Sequence, residues 1–326
     1  MRRVPVRLSI IGLVAASGVA LTACAPVHAG AAATVGDDRI SVSALQSLVN
    51  RTLADPTFAA GQGANTSNVQ RQELTTLVTR KLLAVAAQQK NVSVSEGEVS
   101  QTLSSVRQQE GSQEALDKDA ARNGIAPSDV HDYFYYALLE QKLAPKISTP
   151  VVHTAHILVK DKATAEKILA QVKADPSSFA DIAKSQSIDT GSAPNGGDLG
   201  TVPSAQFVTP FADAVDAAQV GSYFVVQSSF GWHVVHLISR STTTLDQIDA
   251  QAQQATTQQE QQQAQQVHAA VFARFLDSVA KSLGGISVNP RYGTWSADQG
   301  SVVALTTGLS SPISSPAAAQ PSLPTG

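Results

Sequence analysis

Cysteine is almost missing from this chain of 326 residues, and Cys24 is the single one. One thiol excludes an internal disulfide framework and any multi-cysteine metal cluster. Charge is scarce as well: 15% of residues are Asp, Glu, Lys or Arg, against about 25% in an average globular domain. The formal net charge of -3 leaves no basic stripe of the kind that neutralises phosphates, which argues against nucleic acid as a partner. No Gly-x-Ser-x-Gly elbow supports a hydrolase. Long apolar runs are also absent. Leu8 to Ala20 is uncharged but shorter than the ~20 residues a membrane-spanning helix requires.

What is present begins with an address. Arg2, Arg3 and Arg7 precede that apolar stretch, and Leu21-Thr22-Ala23-Cys24 follows it, the layout of a secretory signal over residues 1–23. Leu-Thr-Ala-Cys resembles the bacterial lipobox, in which cleavage before the cysteine is coupled to acylation of its thiol. Lipid on Cys24 is therefore expected to hold residues 24–40, a linker, at the membrane. Losing the three leader arginines makes the remainder more acidic, so no polybasic patch would do this instead.

From residue 41 to 149 apolar spacing is helical. Leu45, Leu48, Val49 and Leu53 mark a first helix capped by Ser41 or Ser43, and Val69 to Leu83 a longer second one. Ser95 and Glu98 have capping-box spacing before a third. A fourth holds Leu116 and stops at Asn123-Gly124, and a fifth runs from Pro127 to Leu143. Gly61-Gln62-Gly63 lacks a preceding strand and a third glycine, so it reads as a loop and not as a nucleotide fingerprint. A helical scaffold is the plainest reading, although narrow apolar stripes also suit a groove for unfolded chains.

Between residues 150 and 240 strands alternate with helices. Val151 to Val159 is β-branched and aliphatic, and period-two alternation puts His156 on the face of Val152 and Leu158, with His153 opposite. Histidines three apart in a strand, as in His153/His156 and His233/His236, point to opposite faces, which makes a four-histidine metal site improbable. Five blocks then occur in order: His156-Ile-Leu-Val, Ser187-Ile-Asp189 with Gly191-Ser-Ala, Gly196-Gly-Asp-Leu-Gly200, Phe207 with Pro210-Phe211, and Phe230-Gly-Trp-His233. Together they resemble the parvulin-type peptidyl-prolyl isomerases over Val151 to Ser239. The resemblance implies a four-stranded antiparallel sheet with helices around it, a polar network of His156, Asp189, Ser228 and His233, and a proline-ring pocket of Leu199, Phe207 and Phe211. Thr190 is the alternative to Asp189. Methionine is common in the family where Phe207 stands. No cofactor is implied. Phosphate-directed members carry an arginine-bearing loop after the first strand; Lys160-Asp161-Lys162 has no arginine, so phosphorylated Ser-Pro or Thr-Pro is not the expected target.

Thr244 to Leu283 reads as one long helix, glutamine-rich and then apolar, stopped by Gly284. Its stripe has no partner inside a complete parvulin domain, so it is expected to dock on the earlier helices. That layout resembles the SurA/PrsA-type extracytoplasmic foldases: an α+β chain in which a SurA-like helical domain, residues 41–149 plus a returning helix and strand at 241–293, carries an inserted isomerase. The strand Ile286 to Val288 would pair with Thr34-Val35 or Arg39-Ile40. Residues 294–326, rich in Pro, Ser and Ala, read as a disordered tail. The resemblance implies a foldase on the outer face of a bacterial cytoplasmic membrane. Its partners would be newly exported or unfolded polypeptides with X-Pro bonds. A non-catalytic holdase is the alternative from another class.

Overall fold

The computed structural model describes residues 30–62 and 65–305; Cys24 and the leader lie outside the described residues. The chain starts with a hairpin, β1 (Ala31–Val35) and β2 (Asp38–Ser41), then α1 (Val42–Thr52), α2 (Pro56–Gln62) and α3 (Thr66–Lys90). Next come α4 (Glu96–Glu110), α5 (Gln113–Arg122) and α6 (Val130–Leu143). Ser41 caps α1 by accepting from the Ala44 amide at 3.0 Å, and Ser95 with Glu98 closes the expected capping box on α4. In α3, Leu74, Val78 and Leu82 recur every four residues and are buried, as a helix enclosed by its neighbours requires.

The second half of that core comes from the other end of the chain. After the isomerase segment, α10 (Leu245–Ala252) and α11 (Gln258–Ser282) return, followed by β7 (Ile286–Val288), β8 (Thr294–Ser296) and β9 (Ser301–Val303). Leu245, Ile248, Val271, Leu276 and Val279 join Leu45, Leu74, Leu82, Leu139 and Leu143 in one buried cluster. The apolar stripe thus finds the partner expected of it.

Four expectations are corrected here, and one pair of alternatives is resolved. Residues 31–41 are not a linker: Ala31, Ala32 and Ala33 are fully buried, and β1 is the middle strand of a sheet ordered β2-β1-β7. Its pairing with β7 sets Thr34 against Ser287 and Val35 against Ile286, so Thr34-Val35 and not Arg39-Ile40 is the partner. The long helix is two, because Thr257 and Glu260 form a capping box that starts α11 anew and folds it back on α10. Thr294–Val303 is not tail but a hairpin, held on α3 by the Val302 amide donating to Thr75 Oγ1 at 2.9 Å. Gly61 and Gln62, read as loop, close α2; Gly63 is outside the described residues.

Between the two halves lies a sheet ordered β4-β3-β6-β5, antiparallel throughout. Its strands are β3 (Ser148–Val159), β4 (Asp198–Pro203), β5 (Tyr223–Ser228) and β6 (Gly231–Thr244); its helices are α7 (Lys162–Ala174), α8 (Phe179–Gln186) and α9 (Thr209–Ala217). Alternation sorts the side chains. Ala155, Ile157, Val159 and Val234 pack under α7 and α8, while Val152, Val235 and Leu237 pack under α9 with Phe211 and Val215. His156 and His233 therefore share the α9 face.

His268 of α11 ties the helical core together, its Nδ1 2.7 Å from Asp249 of α10 and its Nε2 3.0 Å from Glu140 of α6. Hydrogen bonding to Glu140, opposed by burial and reinforced by Asp249, raises its pKa to about 9. The charged form is favoured by folding, so this stabilisation is complete below the unfolded value near 6.5 and is lost as pH rises through 9. Denaturant unfolding of the wild type should show stability falling over that window, and His268→Gln should remove the slope. Identical profiles for both proteins would contradict the bridge.

Candidate active site

The site is assembled where β3 and β6 run side by side. Leu158 stands opposite His233, so His156, two residues back on the same face, is its diagonal neighbour. The rings stack with centroids 5.1 Å apart and 22° between planes, and their Nδ1 atoms are 2.9 Å apart. Both are nearly sealed from solvent, at 6% and 4% exposure. On the far side of His156, Nε2 lies 2.7 Å from Asp189 Oδ2 and 3.1 Å from Ser192 Oγ. On the far side of His233, Nε2 lies 2.7 Å from Ser228 Oγ. The four polar residues expected from sequence are thus brought into one chain, and Asp189, not Thr190, is the acid in it.

Proton positions follow from the end that cannot donate. An ionised carboxylate only accepts, so His156 Nε2 carries a hydrogen toward Asp189, and the hydroxyl of Ser192 donates to the same oxygen. With His156 assigned as neutral, its Nδ1 accepts from His233 Nδ1–H, which leaves His233 Nε2 to accept from the Ser228 hydroxyl. Ser228 Oγ in turn accepts from the Phe230 amide at 3.0 Å. In this assignment every hydrogen has one place; the positions are assigned from the network.

The electrostatics agree with that assignment. Burial, and next the neighbouring His156, push the His233 pKa down to about 4, with Asp189 opposing. Burial by itself would raise the Asp189 pKa, but hydrogen bonds from Ser192, His156 and the Gly191 amide outweigh it and hold the carboxyl below its ordinary value. The loop that brings Asp189 and Ser192 back is tied to the backbone of His156, whose amide donates to Gly197 O at 2.8 Å. Gly197 has φ +81° and lies so close that a Cβ would meet His156 O at 2.2 Å, so glycine is required there.

The apolar side of the site is the edge of a core. Phe211 of α9 is 3% exposed and meets the His233 and His156 rings edge-on, at 5.3 and 6.0 Å between centroids. Phe207 packs on it at 4.7 Å, and half-buried Leu199 of β4 adjoins the same cluster. Sequence reasoning missed Ser192: it was quoted within Gly191-Ser-Ala, but a hydroxyl in a turn-rich stretch looks like ordinary loop chemistry. Its burial at 5% exposure became visible only in the fold.

The expected opposite facing of the paired histidines holds. His153 reaches Asp198 at 2.9 Å, and His236 stacks on Tyr223 at 4.2 Å, both away from the site. Among the described residues no group of three or more His, Cys, Asp or Glu could hold a metal ion, and no helix is long and apolar enough to cross a membrane.

Comparison with known proteins gives two family matches. The model described as PPIC-type PPIASE domain matches residues 142–241, and that described as SurA-like N-terminal domain matches residues 3–144. The chain is 30% identical over 239 residues to a protein of Bordetella bronchiseptica named "Probable parvulin-type peptidyl-prolyl cis-trans isomerase", covering 72% of this chain and 88% of that one. It is 34% identical over 116 residues to the foldase protein PrsA of Clostridium tetani, covering 35% of this chain and 34% of that one. To the chaperone SurA of Shigella dysenteriae it is 38% identical over 114 residues, which cover 32% of this chain and 26% of that one.

The proton assignment is open to direct test. Nitrogen-detected NMR of the imidazoles should find His233 as the Nδ1–H tautomer at neutral pH, titrating near 4. A midpoint close to 6.5, or an Nε2–H tautomer, would contradict the chain as drawn.

Proposed function

Because this chain belongs to the parvulin-type peptidyl-prolyl isomerases and carries a SurA-like N-terminal domain, we propose that its His156–His233 site catalyses rotation about X-Pro bonds of unfolded, newly exported polypeptides. The protein is an isomerase and chaperone. The observation that supports placing turnover at this site is a complete chain of hydrogen bonds, Asp189–His156–His233–Ser228, buried at its two imidazoles and lying directly against Phe211.

Rotation about X-Pro faces a barrier of ~20 kcal/mol because amide resonance is lost on twisting. The planar amide is the more polar form, so a dry site that receives the ring weakens its advantage over the twisted one. Phe211, Phe207 and Leu199 would hold the pyrrolidine ring. The imidazole pair, neutral and fixed in orientation, would present a set field to the twisting bond without serving as a nucleophile.

Unphosphorylated X-Pro is the proposed target. In the link after β3, Asp161 is engaged as the cap of α7, and Lys162 pairs with Glu166 at 3.4 Å and lies over Trp232. Arginine, the residue suited to a bidentate phosphate clamp, is missing from that link. The proposed setting is extracytoplasmic, with the chain tethered through lipid on Cys24. The proposed layout is residues 150–240 inserted in a helical domain made of residues 31–149 and 241–293, to which Thr294–Val303 is added.

Cis-to-trans conversion of an unphosphorylated X-Pro peptide should be accelerated by the wild type. In His156→Ala, kcat/KM should fall by about 10²-fold, as when a preorganised electrostatic group is removed. Background rates for both proteins would sink the enzymatic reading. Mass spectrometry of the membrane-fraction protein should find Cys24 acylated at a new N-terminus; an unmodified thiol would contradict the tether.

A further inference from the structure

Helix α9 carries the floor of the ring pocket, yet much of what fixes it comes from outside the isomerase segment. Nine residues are too few for a helix to hold itself together, so its position is set by tertiary contacts. Phe211 and Val215, four apart, face the sheet. Thr209, Asp213 and Asp216, at i, i+4 and i+7, form the opposite stripe, and each meets a residue from the returning part of the chain.

At the N-terminus no side chain of the isomerase segment caps the helix; Val208 stands at the cap position. The cap comes from the loop between β8 and β9, where Asp298 Oδ1 accepts from the Thr209 amide at 3.2 Å and also from its hydroxyl. A carboxylate there satisfies an orphan amide and meets the positive end of the helix. Along the stripe, one nitrogen of Arg274 in α11 donates to Asp213 Oδ1 at 2.7 Å and Asp216 Oδ2 at 2.8 Å. Asp216 Oδ1 is buried with no hydrogen-bond partner, so Arg274 is the counter-charge that makes this carboxylate tolerable. Just before α9, Ala205 packs on the core of the helical domain.

Accordingly, we propose that Arg274 and Asp298 are positioning residues for the isomerase: from the helical domain they hold α9, and thereby Phe211, in register with His156 and His233. Neither touches the reacting bond. The pocket is then completed only when the two parts of the chain are docked, and the helical domain sets the affinity for the proline ring. This inference rests on the isomerase reading, so its test includes a readout that needs no turnover.

The experiment uses the full chain with Arg274→Met, Arg274→Lys, Asp298→Ala and Asp298→Asn. Amide exchange over residues 211–217 should quicken by about fivefold to tenfold in Arg274→Met and Asp298→Ala, the effect of losing about 1 kcal/mol of anchoring. It should stay near wild type in Arg274→Lys, which keeps a cation on a single contacting nitrogen, and in Asp298→Asn, which keeps the cap. For an unphosphorylated X-Pro peptide, KM should rise by a similar factor in the first two, with kcat changed less. In a Phe211→Ala background, Arg274→Met should have no further effect on KM. Unchanged α9 exchange, or a KM loss that is the same with and without Phe211, would overturn the proposal. Absence of activity in the wild type would instead overturn the isomerase reading and leave the exchange result to decide this one.

Discussion

Two imidazoles pressed together out of water are the constraint around which the rest of this molecule is arranged. Their nitrogens are 2.9 Å apart, a contact that is attractive only if one donates and the other accepts. Asp189 cannot donate, so His156 Nε2 carries the hydrogen between them; with His156 neutral, the sequence of donors then runs back to Ser228 and the Phe230 amide. Partly satisfied, such a network would cost more than an apolar replacement; fully satisfied, it fixes one arrangement. Every surrounding element serves that condition. The pairing of β3 with β6 brings the rings together, Gly197 lets the acidic loop approach His156, and α9 closes the apolar side.

The helical domain adds a second layer to the same logic. It is built from both ends of the chain, with β1, β7 and the α10–α11 hairpin completing a core that α1, α3 and α6 leave open. Closure places a positively charged residue of α11 and an acid of the β8–β9 loop against the outer face of α9. Scaffold and site are therefore joined through charged contacts on one short helix, and not only by the covalent links at residues 147 and 245.

Much of this was legible before any coordinates, and the reasons differ from residue to residue. His156, Asp189, Ser228 and His233 stood out because their neighbours form ordered blocks; the fold then showed that their spacing brings them into contact. Period-two alternation separated His156 from His153 correctly, since β3 keeps its alternation past the bulge that Ile238 makes in β6. Ser192 was hidden by its own chemistry, being a serine in a turn. Ala31–Val35 was hidden by small side chains, which resemble a linker although Ala31, Ala32, Ala33 and Val35 are buried. The break between α10 and α11 was masked by glutamines that favour helix on either side, while the decisive Thr257 and Glu260 lay within them. The β8–β9 hairpin is three residues per strand, too short for alternation to register, and is held by contacts distant in sequence.

The central claim, that the carboxylate of Asp189 orients the imidazoles for catalysis, is tested most directly by Asp189→Asn in exchange NMR on a cis/trans X-Pro peptide. An amide at that position keeps the shape but can donate where only an acceptor belongs. The account predicts that catalysed exchange at saturating enzyme slows by about tenfold to a hundredfold, the worth of one charged hydrogen bond, while peptide affinity stays close to wild type. Equal exchange rates in the two proteins would contradict it.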